Sequence, residues 1–196
     1  MSKKSDLLDL QNNLLATLTC PLRDAATNLV FGEGNPDADI LFIGEAPGAK
    51  EDAQGEPFVG RSGQLLNNAL KTITLKRKDI YIANILKYRP PKNRNPTREE
   101  IRKHTPYLVK QIHIIKPKII VPLGNYATKF VLAGFDPSEM KNVSAISSLH
   151  GMSKNIAIGG VTYTVFPMFH PSATIYNRRL LPEFFNDFKK LADLLE

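Results

Sequence analysis

The stretch Asp37-Ala-Asp-Ile-Leu-Phe-Ile-Gly44 decides the fold class of this chain. Its four consecutive apolar residues, 40–43, end at a glycine, a pattern typical of a strand that is buried on both faces of a sheet. Three further apolar runs are predicted to be strands, and they cover residues 80–86, 118–124 and 161–168. The sequence therefore predicts four strands.

Helices are predicted in the intervals between these strands and at both ends of the chain. They cover residues 5–16, 63–75, 97–115, 125–132 and 182–195. Strands that alternate with helices predict an α/β fold, which we expect to be a single domain over residues 1–196 with a four-stranded parallel sheet flanked by helices. Residues 134–160 are rich in glycine and serine and are expected to be irregular.

Composition excludes several classes of protein. The 196 residues are 42% hydrophobic and 23% charged, which is ordinary for a globular protein. No long apolar run suggests a membrane span or a secretory signal, so we expect no membrane partner. The single cysteine, Cys20, excludes an internal disulfide and favours the reducing cytoplasm. We also expect a monomer.

Positive charge is concentrated in one segment. The formal net charge is +7, and residues 87–118 hold ten basic residues against two acids. A local basic patch predicts a polyanionic partner such as nucleic acid. Charge alone fits a solvated helix face equally well.

Polar side chains follow the predicted strands at their carboxyl ends, where ligands bind in parallel sheets. Glu45 directly follows the first strand, Asn84 lies at the end of the second, and His170 follows the fourth. A carboxylate there can act at a reacting centre, an amide can read the edge of a base, and an imidazole can stabilise developing negative charge. Taken alone, Glu45 and Asn84 also fit ordinary loop roles.

The loop after the first strand contains Gly44-Glu-Ala-Pro-Gly48 and, further on, Phe58 between two glycines. No Gly-Lys-Ser/Thr follows, so this is not a phosphate loop. Gly44 allows close approach of a ligand to the backbone, and Phe58 can stack on a flat ring or plug the loop onto the core. No His-x-Glu or Cys-x-x-Cys pattern predicts a metal site.

Taken together, these segments resemble the family 4 uracil-DNA glycosylases. The matching stretches are Val30–Pro36, Gly44–Gly48 with Glu51-Asp52, Gly55–Leu66, Tyr81–Pro91, Asn93–Thr97 and His170-Pro-Ser172. The resemblance implies a base excision repair enzyme that flips deoxyuridine out of DNA and hydrolyses its N-glycosidic bond. The substrate would be uracil-containing DNA, single- or double-stranded, and the enzyme would be monofunctional, leaving an abasic site.

The resemblance also implies roles for particular residues. Phe58 would stack on uracil, Asn84 would bind its edge, and His170 would stabilise the departing anion. Glu45 would lie near the attacked carbon and its water. We add the hypothesis that Glu51 crowds the C5 position of uracil and excludes thymine.

Several residues are expected to contact the DNA. A side chain of the His170 loop, Thr174 or Ile175, would fill the stack that the flipped base leaves. Phosphate contacts are expected from basic and polar residues near the strand ends. These are Lys87, Arg89, Arg94, Ser172, Arg178 and Arg179.

One departure from the family is large. Its members usually hold an iron–sulfur cluster through four cysteines, and the corresponding positions here are Thr17, Cys20, Tyr88 and His104. Threonine and tyrosine are poor ligands for such a cluster. We therefore expect no cluster and no other cofactor.

Two alternatives remain open. A related branch that crosslinks to uracil-DNA has a basic insertion with a histidine, and no histidine occurs here between Lys87 and Lys103. A non-catalytic module that binds uracil-DNA is the other alternative. The presence of Glu45, Asn84 and His170 argues against it.

Overall fold

The computed structural model describes residues 2–195 and shows one mixed sheet of six strands. The strands are β1 (Glu33–Gly34), β2 (Ile40–Gly44), β3 (Tyr81–Asn84), β4 (Ile119–Pro122), β5 (Lys154–Ile158) and β6 (Val161–Val165). Their order across the sheet is β1-β3-β2-β4-β6-β5. The central four overlap the four predicted strands. They pair in parallel, because β2 pairs with both β3 and β4, and β4 pairs with β6.

The prediction of a four-stranded, wholly parallel sheet was wrong, because an antiparallel strand is added at each edge. β1 has only two residues, too few for a sequence pattern. β5 lies in the segment predicted to be irregular and forms a hairpin with β6. Gly159 and Gly160 connect them with φ values of 57° and 83°. Such a two-residue hairpin turn requires positive φ, which glycine adopts without strain.

Helices pack on both faces of the sheet. They are α1 (Lys3–Thr17), α2 (Pro21–Ala25), α3 (Ala49–Gln54), α4 (Arg61–Thr72), α5 (Arg98–Ile115), α6 (Gly124–Leu132), α7 (Pro171–Tyr176) and α8 (Leu181–Asp193). Five of them match the predicted helices, and α2, α3 and α7 are short additions. Within residues 2–195, no helix is both long and apolar enough to cross a membrane.

The two faces of β2 show why this strand is apolar throughout. Leu41 and Ile43 belong to a core shared with α1, α5 and α6, whereas Ile40 and Phe42 belong to a core shared with α4 and α8. All four are at most 2% exposed. Since side chains alternate between the faces of a strand, only a continuous apolar run can serve both cores.

Candidate active site

A cavity of about 710 Å³ opens at the carboxyl ends of the parallel strands. Its lining comes from the loops after β2, β3 and β4 and from the loop that contains His170. All five side chains predicted to meet the base or the reacting centre line this one cavity: Glu45, Glu51, Phe58, Asn84 and His170. The fold therefore brings together residues that are 125 positions apart in the chain.

Asn84 lines this cavity, and Gly44 lies beside it in the sheet. They are register partners at the ends of β3 and β2. Asn84 is 2% exposed, and its Oδ1 atom has no hydrogen-bond partner among the described residues. A Cβ atom added to Gly44 would overlap Asn84 Oδ1 and lie 2.8 Å from the ring of Phe58. Gly44 thus keeps open a slot between an unpaired amide and an aromatic ring.

Phe58 forms one wall of this slot. It is 6% exposed, and its ring centroid lies 5.6 Å from that of His170. Its backbone has a φ of 54°, which is rare for a bulky residue. Next to it, Glu51 Oε1 accepts hydrogen bonds from the backbone amides of Val59 and Gly60, both at 2.9 Å. Glu51 therefore holds the loop that carries Phe58.

His170 caps the start of α7, and its hydrogen bonds define its protonation. Its Nδ1 atom accepts from the backbone N–H of Ser172 at 3.1 Å and lies 2.6 Å from the Ser172 hydroxyl oxygen. An Nδ1 that accepts from an amide carries no proton, so the proton of the neutral ring lies on Nε2. Burial lowers the pKa of His170 to about 4. Near pH 7 the residue is an uncharged donor.

Gly124 leaves room for the side chain of His170 to lie against its backbone. This role of Gly124 was not predicted from the sequence. Gly124 has a φ of 86°, and a Cβ atom there would lie 2.7 Å from the Cβ of His170. Any other residue would be strained and would displace the imidazole. A glycine at the end of a predicted strand was the signal that could have identified this position.

Glu45 faces the same cavity from the end of β2. The carboxyl group is half-buried, and desolvation raises its pKa above the ordinary value. Tyr126 also lines the cavity, and its own pKa is raised by burial and then by the negative charge of Glu45. No sequence pattern pointed to Tyr126. The cavity therefore combines the partly desolvated carboxyl group of Glu45 with the neutral donors of Asn84 and His170.

Lys87 does not contact solvent, so its predicted role as a phosphate ligand was wrong. Its side chain is fully buried, and Nζ donates to the backbone oxygens of Phe31 at 3.1 Å and Asn84 at 3.0 Å. It also donates to the side-chain oxygen of Gln111. Burial lowers the pKa of Lys87 to about 7. Two of its acceptors, on Phe31 and Gln111, are distant in the chain, so no sequence pattern indicated that Lys87 is buried.

Of the two arginines in the following loop that were predicted to bind phosphates, Arg94 lines the cavity and Arg89 does not. Both terminal nitrogens of Arg94 bond the carboxylate of Glu100, which lowers the pKa of Glu100 to about 2. Arg94 is exposed and lines the cavity. Arg89 is partly buried, and its Nε donates to Asn93 Oδ1 at 2.8 Å.

Thr174 and Ile175, the two residues predicted to fill the stack that a flipped base leaves, differ in their exposure. Thr174 is fully buried, and its hydroxyl donates to the oxygen of Pro171 at 2.9 Å. It was therefore wrongly predicted to enter a DNA stack, because its hydroxyl is used within α7. Ile175 is partly exposed and is still available for that role. Arg178 and Arg179 are exposed in a short 3-10 helix, Arg178–Leu180.

Comparison with known proteins places these residues in a family. Residues 31–195 match the model of the uracil DNA glycosylase superfamily. A type-4 uracil-DNA glycosylase from Archaeoglobus fulgidus is 42% identical over 186 residues, covering 95% of this chain and 92% of that protein. One from Sulfurisphaera tokodaii is 41% identical over 94% of this chain and 83% of that protein. One from Thermotoga maritima is 42% identical over 91% and 88%, respectively.

Proposed function

The chain belongs to the uracil DNA glycosylase superfamily, with type-4 enzymes among its relatives, and we propose that it excises uracil from DNA. It would flip deoxyuridine out of the strand and hydrolyse the N-glycosidic bond, releasing uracil and leaving an abasic site. The observation that carries this proposal is the slot in which unpaired Asn84 Oδ1, the Phe58 ring and neutral His170 converge.

Recognition of uracil follows from the atoms that line the slot. Asn84 offers an acceptor for the N3–H of uracil and an amide donor for O4. Cytosine presents the reverse pattern at these positions, so it would leave Asn84 unsatisfied in a buried site. Phe58 would stack on the face of the base.

Bond cleavage requires stabilisation of two developing charges. Uracil leaves as an anion, and His170 Nε2–H would donate to it without first bringing a positive charge into the site. The sugar develops positive charge, which the Glu45 carboxylate would offset while it orients the attacking water. Lys50, the one lysine that lines the cavity among the described residues, is exposed on α3. This favours a monofunctional hydrolase without a covalent amine intermediate.

The DNA path is supported by the arginines around the cavity. A second, shallower groove of about 440 Å³ is lined by Arg61, Ile175 and Arg178. Arg61 lines both this groove and the cavity, so the two are neighbours. We place the flanking strand along this groove, with Ile175 as the wedge and Arg178 and Arg179 on phosphates.

The positions that correspond to the family's cluster ligands do not fit an iron–sulfur cluster. The Thr17 hydroxyl bonds the backbone oxygen of Asn13 and the Tyr107 hydroxyl. His104 Nδ1 lies 2.7 Å from the oxygen of Glu100, and Tyr88 packs its ring in the core. Only Cys20 offers a thiol. We therefore propose that the enzyme works without a cluster, and no step of the reaction uses one.

The proposed function is tested by product analysis on an oligonucleotide with one deoxyuridine, in buffer with a metal chelator. We expect free uracil and a strand that breaks only after alkali treatment. A crosslinked species that persists in denaturing gels would indicate the covalent branch. Binding without uracil release, at enzyme in excess over DNA, would contradict the proposal. The same oligonucleotide with thymidine is the control.

A further inference from the structure

The backbone at Phe58 is held in a conformation that this residue would not choose by itself. A φ of 54° lies in the left-handed region, where the Cβ atom of a bulky side chain crowds the backbone. Such residues persist only where their surroundings hold them. The neighbours that hold Phe58 therefore determine where its ring lies.

Arg77 is the cation that contacts this backbone. It begins a 3-10 helix, Arg77–Asp79, between α4 and β3. Its Nη1 donates to the oxygen of Phe58 at 3.1 Å, and its Nη2 donates to the oxygen of Pro57 at 2.6 Å. Nη2 also pairs with Glu33 of β1 at 2.7 Å. One planar guanidinium thus fixes two successive carbonyl groups, which a lysine cannot do with the same geometry.

The rest of the loop is held from the other side. Glu51 accepts from the amides of Val59 and Gly60, so an anion holds the amides while a cation holds the carbonyls. Gly63 is also needed, because a Cβ atom there would overlap the Phe58 oxygen. Among these contacts, only that of Arg77 is made to the carbonyl of Phe58 by a side chain.

We propose that Arg77 is a positioning residue for uracil recognition, acting through the backbone of Phe58. This inference rests on the proposed function. Without Arg77, the Phe58 backbone would relax toward negative φ and carry its ring away from the slot beside Gly44 and Asn84. Arg77 itself does not line the cavity. Its loss should therefore affect the base and leave contacts to the DNA backbone intact.

The kinetic test compares Arg77→Met, Arg77→Lys and Glu33→Gln with the wild type in single-turnover assays. We expect Arg77→Met to lose at least about tenfold in uracil release. Its affinity for undamaged DNA should stay unchanged, and Arg77→Lys should restore part of the rate. Glu33→Gln is the matched control, because it removes the negative charge that pairs with Arg77 while both carbonyl contacts remain. An Arg77→Met enzyme as fast as the wild type would overturn the proposal.

A double-mutant cycle with Phe58→Ala separates positioning from a general loss of stability. If Arg77 acts through the ring, Arg77→Met should cost nothing further once the ring is removed. An equal loss in both backgrounds would show that Arg77 acts elsewhere. Thermal melts of all variants would show whether each is folded.

A readout independent of activity is the φ angle of Phe58 in crystal structures of the wild type and Arg77→Met. We expect a positive angle in the first and a negative angle in the second. An unchanged angle and ring position would refute the inference, whereas a wild type that releases no uracil would refute only the proposed function.

Discussion

At the scale of single residues, the candidate site holds an unpaired amide oxygen and a neutral imidazole among the described residues. Asn84 Oδ1 is buried without a partner among the described residues, which costs stability unless a ligand supplies a donor. His170 is held neutral by burial and oriented by Ser172. Lys87 Nζ donates a hydrogen bond to the backbone oxygen of Asn84. These features are typical of a site organised before its substrate binds.

We expect His170→Ala and Asn84→Ala each to slow uracil release by roughly a hundredfold or more, about 3 kcal/mol. Each variant removes a hydrogen bond that strengthens as uracil becomes an anion. Single-turnover rates on a deoxyuridine oligonucleotide measure the loss, and binding to undamaged DNA should change little. Near-normal rates in both variants would show that the assigned slot is not the site of cleavage.

The acid limb of the pH–rate profile should belong to Glu45. Desolvation raises the pKa of Glu45 above its ordinary 4.5, whereas His170 stays neutral down to about pH 4. As pH falls, Glu45 is protonated first, and the rate should fall at a pH above 4.5. Glu45→Gln should be slower and should lack this limb. The same limb in wild type and Glu45→Gln would assign it to another group.

At the scale of elements, side-chain packing joins α1, the loop after β3 and α5, and we propose that it takes the place of a cluster. Tyr88 in that loop is 4% exposed, and its ring lies 6.2 Å from that of His104 on α5 in an edge-on arrangement. At the end of α1, the Thr17 hydroxyl lies 2.8 Å from that of Tyr107 on α5. Cys20 is buried in the same core as Tyr88.

Tyr88→Ala should therefore lower the melting temperature, because burial of the ring contributes about 2 kcal/mol. Tyr176→Ala is the matched control, since Tyr176 is 91% exposed and its loss should leave the melting temperature unchanged. Iron and acid-labile sulfide analysis of anaerobically purified protein should find neither. Stoichiometric iron, or a Tyr88→Ala variant as stable as the wild type, would refute the replacement of the cluster by packing.

Sequence patterns predicted the strands that are buried throughout. β2, β3 and β4 were predicted because a short, continuous apolar run that ends at turn residues is typical of a strand covered on both faces. Glu45, Asn84 and His170 lie close together because the parallel strands all end at the same edge of the sheet. The hairpin of β5 was missed because its residues are mostly exposed and carry little apolar signal. Lys87 was misplaced because two of its acceptors are distant in the chain, and Thr174 because its burial arises only when α7 packs onto the fold.

At the scale of the whole molecule, fewer basic side chains are available to bind DNA phosphates than the sequence suggests. Lys87 is buried and Arg94 is paired with Glu100. Arg178 and Arg179 are exposed, and Arg178 lines the groove that neighbours the cavity. Lys118, by contrast, precedes β4 at the amino ends of the strands, where it pairs with Asp39 at 2.9 Å.

Salt dependence of DNA binding should reflect this distribution. For duplex DNA, each phosphate contact contributes about 0.9 to the slope of log K against log salt. Neutralising Arg178 and Arg179 to glutamine should lower that slope, whereas Lys118→Gln should not change it. Fluorescence anisotropy at several salt concentrations measures both. An unchanged slope in the double arginine variant would place the DNA path on another face.

The central claim is that His170 meets the base as a neutral ring with its proton on Nε2. Nitrogen-15 NMR of labelled histidines tests this most directly across pH 5 to 8. We expect His170 to show an unprotonated Nδ1 and a protonated Nε2 throughout, and added uracil should shift the Nε2–H signal in the wild type but not in Asn84→Ala. A charged imidazolium at pH 7, or a proton on Nδ1, would contradict the account.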